Sequence, residues 1–328
     1  MARVLSGIQP TGEIHLGNFL GAIRNWVAEQ HQEDSYFFVV DLHALTVPRD
    51  PAELRTKTLE TALALVAAGL DPDVCTLFVQ SHVHQHSELS LILESVAAMG
   101  ELGRMTQFKD KARDGEESAR VALFTYPVLQ AADILLYDAE RVPVGDDQRQ
   151  HLELCRDLAG RFNHRYGDTF VVPEAALPKV GARVMDLQDP TSKMSKSASS
   201  PQGTVALLDD PSVIARKFKR AVTDTGTDVV FDPVNRPGVS NLLQILAAAT
   251  GREPAEVAKG YSQYGPLKID TAEAVVELLR PVRERYGRLS ADPGAVRAIL
   301  GQGGEKAGAI AAVTLARARG AIGLLPPT

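Results

Sequence analysis

Apolar residues fall along this chain in short runs, each ending in a polar cluster, with longer stretches of helical period between them. Arg3-Val4-Leu5 is the first run. Residues 36–40 stop at Asp41-Leu42-His43, residues 77–79 at Gln80-Ser81-His82, and residues 141–144 at Gly145-Asp146-Asp147-Gln148. Residues 183–187 lead into Asp189-Pro190-Thr191-Ser192-Lys193. The five runs read as strands. Helices are expected over 17–30, 51–70 and 148–161; in the first, Phe19, Leu20, Ile23, Trp26 and Val27 recur at helical spacing. This alternation predicts an α/β fold with a parallel, doubly wound, Rossmann-like sheet. Ligands of such sheets bind beyond the carboxyl ends of the strands, where the polar clusters fall.

Between the third and fourth runs the pattern predicts a helical insertion, about residues 88–137, with a charged segment at 109–120. A Ser/Pro/Gly-rich stretch at 198–203 reads as a hinge. From Asp210 onward almost everything is helical in period. Val275, Leu278, Leu279, Val282 and Tyr286 form one stripe, in which Pro281 is expected to make a kink. The last helix is expected over about 305–319. The chain therefore divides into an α/β domain, 1–200, and an all-helical domain, 201–328.

Composition narrows the class. Hydrophobic content of 45% with 23% charged residues in 328 suits a soluble globular protein. The longest apolar run, 62–70, is too short to span a bilayer, which argues against a membrane partner. No basic-then-apolar leader precedes Arg3. Cys75 and Cys155 are the only cysteines, so no disulfide framework, zinc site or iron–sulfur site is expected, and a cytoplasmic setting is. The net charge of −6 argues against a protein that coats DNA, while leaving room for a local basic face toward RNA. Arg216, Lys217, Lys219 and Arg220, and then Arg280, Arg283, Arg285 and Arg288, are candidates for one. His82, His84 and His86 alternate, but with no carboxylate pattern beside them they read as a polar loop entering a helix.

Two stretches carry chemistry. From Ser6 to Asn18 the chain passes from a strand through Gly7, Pro10 and Gly12 to a helix start at His15-Leu16-Gly17-Asn18. A helix N-terminus offers unpaired N–H groups and a favourable dipole to an anion. Gly17 lets a phosphate approach the backbone, and His15 and Asn18 can donate to it. The second stretch is Lys193-Met194-Ser195-Lys196-Ser197. Its two ammonium groups and two hydroxyls suit a leaving polyphosphate, whose growing charge they would neutralise.

These two stretches resemble the paired signatures of class I aminoacyl-tRNA synthetases. The text between them is similar to tryptophanyl-tRNA synthetases of the bacterial type. The similarity covers residues 7–12, Met105-Thr106-Gln107-Phe108-Lys109-Asp110-Lys111, Ala131-Ala132-Asp133-Ile134-Leu135-Leu136-Tyr137 and Val142-Pro143-Val144-Gly145-Asp146-Asp147-Gln148. It extends to residues 178–183 and 221–224. The resemblance implies activation of L-tryptophan by ATP with Mg2+, giving tryptophanyl-adenylate and pyrophosphate, then transfer to tRNA(Trp) by a homodimer.

The resemblance also implies roles residue by residue. Asp133 would accept a hydrogen bond from the indole N–H, in a pocket with Gly7, Gln9, His43, Gln107, Ile134, Val142 and Val144. Tyr126 and Gln148 would hold the α-amino group. Gln9, Pro10, Thr11, Gly17, Asn18, Gly145, Asp146, Asp147, Val184, Met194, Ser195 and Ser197 would bind ATP. Lys111, Lys193 and Lys196, with His15 and Asn18, would act on the phosphates. No protein ligand to a metal is implied. The chain departs from the wider class at Asn18, where the tryptophan branch commonly has asparagine, and from the family's usual residues at Asp147, Leu5, Gln130 and Ala198. The rival readings are a tyrosine-specific synthetase, a nucleotidyltransferase with a small acceptor, and a non-catalytic duplicate; the last would be expected to lack the two lysines.

Overall fold

In the computed structural model, residues 3–111, 120–143, 148–176, 183–195, 200–226 and 228–326 are described. Five strands, β1 (Arg3–Ile8), β2 (Asp34–Val39), β3 (Thr76–Val79), β4 (Arg141–Pro143) and β5 (Glu174–Ala176), form one parallel sheet in the order β3-β2-β1-β4-β5. Leu5 lies beside Tyr36 and Gly7 beside Phe38, and Phe38 in turn lies beside Phe78. The order reverses between β1 and β4, which makes that boundary the switch point of the sheet.

Both faces of β2 are buried, which explains its unbroken apolar run. Phe37 and Val39 point into one core, where Phe37 stacks on Trp26 and α3 (Pro51–Ala68) supplies Leu63, Leu65 and Ala67. Tyr36, Phe38 and Val40 point into the other, against α4 (Gln85–Glu94), α7 (Val121–Leu135) and α8 (Arg149–Tyr166). The doubly wound α/β fold is thus two cores separated by one sheet. α5 (Met99–Leu102) and α6 (Thr106–Lys111) complete the insertion between β3 and β4.

Three expectations change. The fifth strand is not 183–187 but the three-residue β5, which follows the apolar residues Phe170, Val171 and Val172. Within 183–187 only Met185 makes a bridge, to Lys193. The backbone there is claimed elsewhere: the Asn241 side chain takes both the N–H and the carbonyl of Met185, at 2.9 Å each, and Asp186 donates to the Ser192 carbonyl. A peptide so occupied has nothing left for a ladder.

The first helix is not uniform. It runs as α1 (Leu16–Asn18), a π-helical stretch Phe19–Ile23 and α2 (Arg24–Glu29). The last helix, α13 (Pro293–Ala321), begins well before residue 305, capped by Asp292 with proline in the first turn. Gly301, Gly303 and Gly304 lie inside it. At Gly303 a Cβ would stand 1.9 Å from the Leu77 carbonyl oxygen, so its absence is what lets α13 lie directly on β3.

α9 (Pro211–Lys219), α10 (Pro237–Thr250), α11 (Pro254–Ala258) and α12 (Tyr264–Ser290) pack together beyond the sheet. The expected stripe on α12 is observed: Val275, Leu279 and Val282 are buried, and Leu278 and Tyr286 flank them. This stripe joins the α3 side of the sheet core, where Arg285 donates to the Ala67 carbonyl at 2.6 Å. α13 does not stay with that group; it returns to β3 and α4.

Candidate active site

A cavity of about 480 Å³ opens at the carboxyl edge of β1, where the strand order reverses. Leu5 and Gly7 of β1, Phe38 of β2 and Val142 of β4 form its floor, and Gln9 stands just beyond β1. Tyr126, Gln130, Asp133 and Ile134 reach it from one face of α7, spaced i, i+4, i+7 and i+8. His43 enters from a 3₁₀ turn after β2 (His43–Thr46), Gln107 from α6, and Gln148 from the residue before α8. Gly7, Gln9, His43, Gln107, Tyr126, Asp133, Ile134, Val142 and Gln148, which the sequence set around an indole, therefore share one cavity. Val144 lies outside the described residues. A Cβ on Gly7 would sit 2.6 Å from Val40 Cγ1, which explains glycine in the middle of the cavity floor.

Asp133 is 3% exposed, and three side chains donate to it. His43 Nε2 is 2.8 Å from Oδ2, while Gln80 Nε2 and His86 Nδ1 are 2.7 and 2.6 Å from Oδ1. The Gln80 carbonyl oxygen accepts the Leu42 N–H at 3.1 Å, which turns its NH2 toward the carboxylate. Burial pushes the Asp133 carboxyl up, but the attraction and hydrogen bonds of His43 and His86 outweigh it and hold it below the ordinary carboxylate range. A carboxylate has about four acceptor positions. Two donors fill Oδ1 and one fills half of Oδ2, so one position remains for a donor inside the cavity. Nearby, Tyr126 donates to Gln107 Oε1 at 3.1 Å and stands 2.7 Å from His151 Nε2; burial raises the pKa of its phenol.

The second part of the site lies at the helix start. His15 and Asn18 cap each other: the Asn18 N–H donates to His15 Nδ1 at 3.3 Å, and the His15 N–H to Asn18 Oδ1 at 3.2 Å. Both side chains stand at the helix start, where the dipole favours an anion. Gln9 is exposed, Pro10 buried and Thr11 half-buried along the approach, and Gly12 turns it with φ of 68°.

Met194 is buried against the same core as Leu16, and a Cβ on Gly17 would lie 3.6 Å from its Cβ. Lys193 beside it is exposed. Ser195 offers its carbonyl to Thr204 Oγ1, and Val205 accepts the Leu16 N–H at 2.8 Å. Val184 is buried with its carbonyl on the Met194 N–H. The two distant stretches are therefore in contact through Met194, which acts as an apolar peg. Lys196, Ser197, Gly145, Asp146 and Asp147 lie outside the described residues, as does the side chain of Lys111.

The sequence missed three residues. His86 is not a loop residue: it stands on α4, fully buried, on the face that carries Leu89, Ser90 and Leu93. That i, i+3, i+4, i+7 spacing was the signal for its burial. Gln80 and Tyr137 complete its surroundings, Tyr137 with its hydroxyl 2.8 Å from His86 Nε2. The expected basic face is also narrower. Lys217 is bound by Asp209 and the Thr204 carbonyl, Arg283 donates to Val276, Arg285 to Ala67, and Arg280 pairs with Glu277 and Glu284. Arg216, Lys219, Arg220 and Arg288 are exposed. Among the described residues no group of histidine, cysteine or carboxylate side chains could hold a metal ion.

Comparison with known proteins agrees with this geometry. Residues 1–280 match the family of class I tRNA synthetases for W and Y. The chain belongs to that family. It is 60% identical to tryptophan–tRNA ligase 1 of Streptomyces coelicolor, over 100% of this chain and 98% of the relative. Among solved structures it is similar to tryptophanyl-tRNA synthetase from Mycoplasma pneumoniae, with a TM-score of 0.92, 36% identity, and coverage of 99% and 98%. The enzyme from Campylobacter jejuni, solved with ADP and tryptophan, gives 0.84 at 35% identity, with coverage of 98% and 100%.

Proposed function

We propose that this chain is a tryptophan–tRNA ligase, which activates L-tryptophan with ATP and passes it to tRNA(Trp). The observation that carries the reading is the buried, ionised Asp133, with one acceptor position left over, facing a cavity beside the helix start and Met194. An indole has one ring donor and no acceptor. A cavity that must satisfy that donor also rejects rings lacking it. A tyrosine-specific site would instead have to serve a phenolic hydroxyl.

In this reading Tyr126 and Gln148 hold the α-amino group, with Gln9 in the same cavity, so that the tryptophan carboxylate faces the α-phosphorus. The carboxylate oxygen attacks in line, the α–β bridging bond breaks, and pyrophosphate leaves. Pro10, Thr11, Gly17, Val184, Met194 and Ser195 bind ATP, and the family resemblance adds Ser197, Gly145, Asp146 and Asp147 to that set. His15, Asn18 and the ammonium groups of Lys111, Lys193 and Lys196 neutralise the charge that builds on the leaving oxygens. Mg2+ bound through the triphosphate would add positive charge there. The 2′-hydroxyl of the tRNA's terminal ribose then displaces AMP. No side-chain nucleophile is needed; positioning and charge do the work.

The helices after residue 201 contact the anticodon, with the exposed Arg216, Lys219, Arg220 and Arg288 as cations that can meet phosphates. A second copy of the chain completes the enzyme, and the exposed Met99 and Val121 beside an apolar hollow lined by Leu102, Phe108 and Phe124 support a homodimer. No helix among the described residues is long and apolar enough to cross a membrane, in keeping with work in the cytoplasm. The test is exchange of labelled pyrophosphate into ATP. Tryptophan is expected to drive it and tyrosine not; exchange with tyrosine, or with neither, would refute the reading.

A further inference from the structure

The carboxylate that faces the cavity is held from behind by a chain of buried groups, none of which can touch a ligand. Gln80 and His86 both donate to Asp133 Oδ1, and the far side of the His86 ring meets the Tyr137 hydroxyl at 2.8 Å. His86 and Tyr137 are both fully buried, and His86 lies among the rings of Phe38, Phe78 and Tyr137. An ionised carboxylate only accepts, so His86 Nδ1 carries the proton that faces it. The Tyr137 hydroxyl meets Nε2 in either charge state of the ring, donating to a bare nitrogen or accepting from a protonated one. Asp133 thus sets the tautomer of His86, and the Tyr137 hydroxyl at Nε2 fixes the ring in the orientation that keeps Nδ1–H on Oδ1.

Resting on the tryptophan reading of the cavity, we propose that His86 and Tyr137 are positioning residues for ring recognition: they saturate Asp133 Oδ1 and leave Oδ2 as the single acceptor aimed at the ring N–H. Without them the carboxylate gains a second open acceptor on its buried side and loses the donors that fix its rotation. It also loses part of what keeps it ionised at the floor of an apolar cavity. The consequence is specific to substrate choice. Nucleotide binding uses other groups and is untouched.

The test compares tryptophan with its analogue in which sulfur replaces the ring N–H, as the ratio of their kcat/KM values in pyrophosphate exchange. His86→Leu is expected to lower that ratio at least tenfold, with KM for ATP unchanged within twofold. His86→Asn, whose amide N–H can take the place of Nδ1, is expected to keep the ratio within threefold of the parent. Tyr137→Phe removes one hydroxyl and is expected to lower the ratio threefold or more; it decides the matter alone if His86→Leu does not fold. A folded His86→Leu or Tyr137→Phe that keeps the parent ratio overturns the positioning role, because a merely structural defect slows both substrates alike. A parent chain that uses both amino acids equally well overturns the reading of the cavity, and this proposal with it.

Discussion

Replacing Asp133 by asparagine changes one atom in the most constrained part of the cavity, and its cost can be worked from the three donors around it. An amide has one acceptor oxygen and one NH2. With its oxygen toward Gln80 and His86, the NH2 faces His43 Nε2 and the cavity; turned over, the NH2 faces Gln80 and His86 instead. Either way a buried donor loses its partner, at about 1–3 kcal/mol. The first orientation is cheaper, since His43 can move its proton to the other nitrogen. In that orientation the ring N–H of tryptophan meets another donor. Hydrogen bonds to charged groups contribute about 1.5–3 kcal/mol, so KM for tryptophan should rise about 10- to 150-fold with KM for ATP little changed. The stability loss should also depend on pH. The Asp133 carboxyl titrates below its ordinary value in the folded chain, so its contribution is present above an unfolded value of about 3.9 and disappears as pH falls through the folded one. Urea unfolding can be followed by fluorescence of Trp26, the only tryptophan. The gap between parent and Asp133→Asn should be full at pH 7 and narrow on the acid side of pH 4. An unaltered KM for tryptophan, or a gap that stays constant through that range, would refute the reasoning.

Two neighbouring glycines of α13 make a matched pair. Gly303→Ala drives a methyl into the Leu77 carbonyl and should destabilise by about 1–3 kcal/mol. Gly301→Ala meets nothing within 4 Å and should stabilise by about 0.5–1 kcal/mol in the same thermal melt. Gly203→Ala places a Cβ 2.0 Å from Asp186 Oδ1, at the base of the segment that carries Lys193. Pyrophosphate exchange should slow there with a raised KM for ATP and an unchanged KM for tryptophan. Lys193→Ala should lower kcat of exchange about 10²–10³-fold, the usual cost of losing one group that meets developing charge. A Lys193→Ala chain with parental kcat would remove that residue from the reaction.

The sheet was legible because both faces of β2 and β3 are buried, which writes unbroken apolar runs at 36–40 and 77–79 into the sequence. β5 was not, because three residues at a sheet edge need no such run, whereas the stretch at 183–187 is apolar for a different reason. Val184 and Leu187 pack into the α3-side core while Asn241, far along the chain, satisfies the backbone between them. A side chain that substitutes for a strand leaves no local mark. The start of α13 was hidden by glycines that serve close packing rather than a turn. At the cavity, residues facing the ligand space could be named from their motifs. His86 could not, since three alternating histidines look like a polar edge until the helix start at Gln85 fixes which of them turns inward.

What unites these features is how the chain affords a buried negative charge. Moving a carboxylate out of water costs several kcal/mol unless it is paired or hydrogen-bonded. An arginine fork would compensate, yet its two parallel bonds would draw both oxygens to one side and compete for the acceptor that a ligand needs. Here the compensation is divided among single donors on three separate elements: His43 after β2, Gln80 after β3, and His86 on α4. The first two sit on turns at the carboxyl edge of adjacent paired strands, and these turns are tied together where Ser81 donates to Asp41 by its N–H and its hydroxyl, at 3.0 and 2.5 Å. The register of β2 against β3 therefore sets where Asp133 can point. Slipping that register by one residue would turn Phe38 and Phe78 to the opposite faces, so the recognition group and the core are specified by the same pairing. Discrimination of a ring by its single N–H is in this sense a property of the sheet rather than of a loop laid upon it.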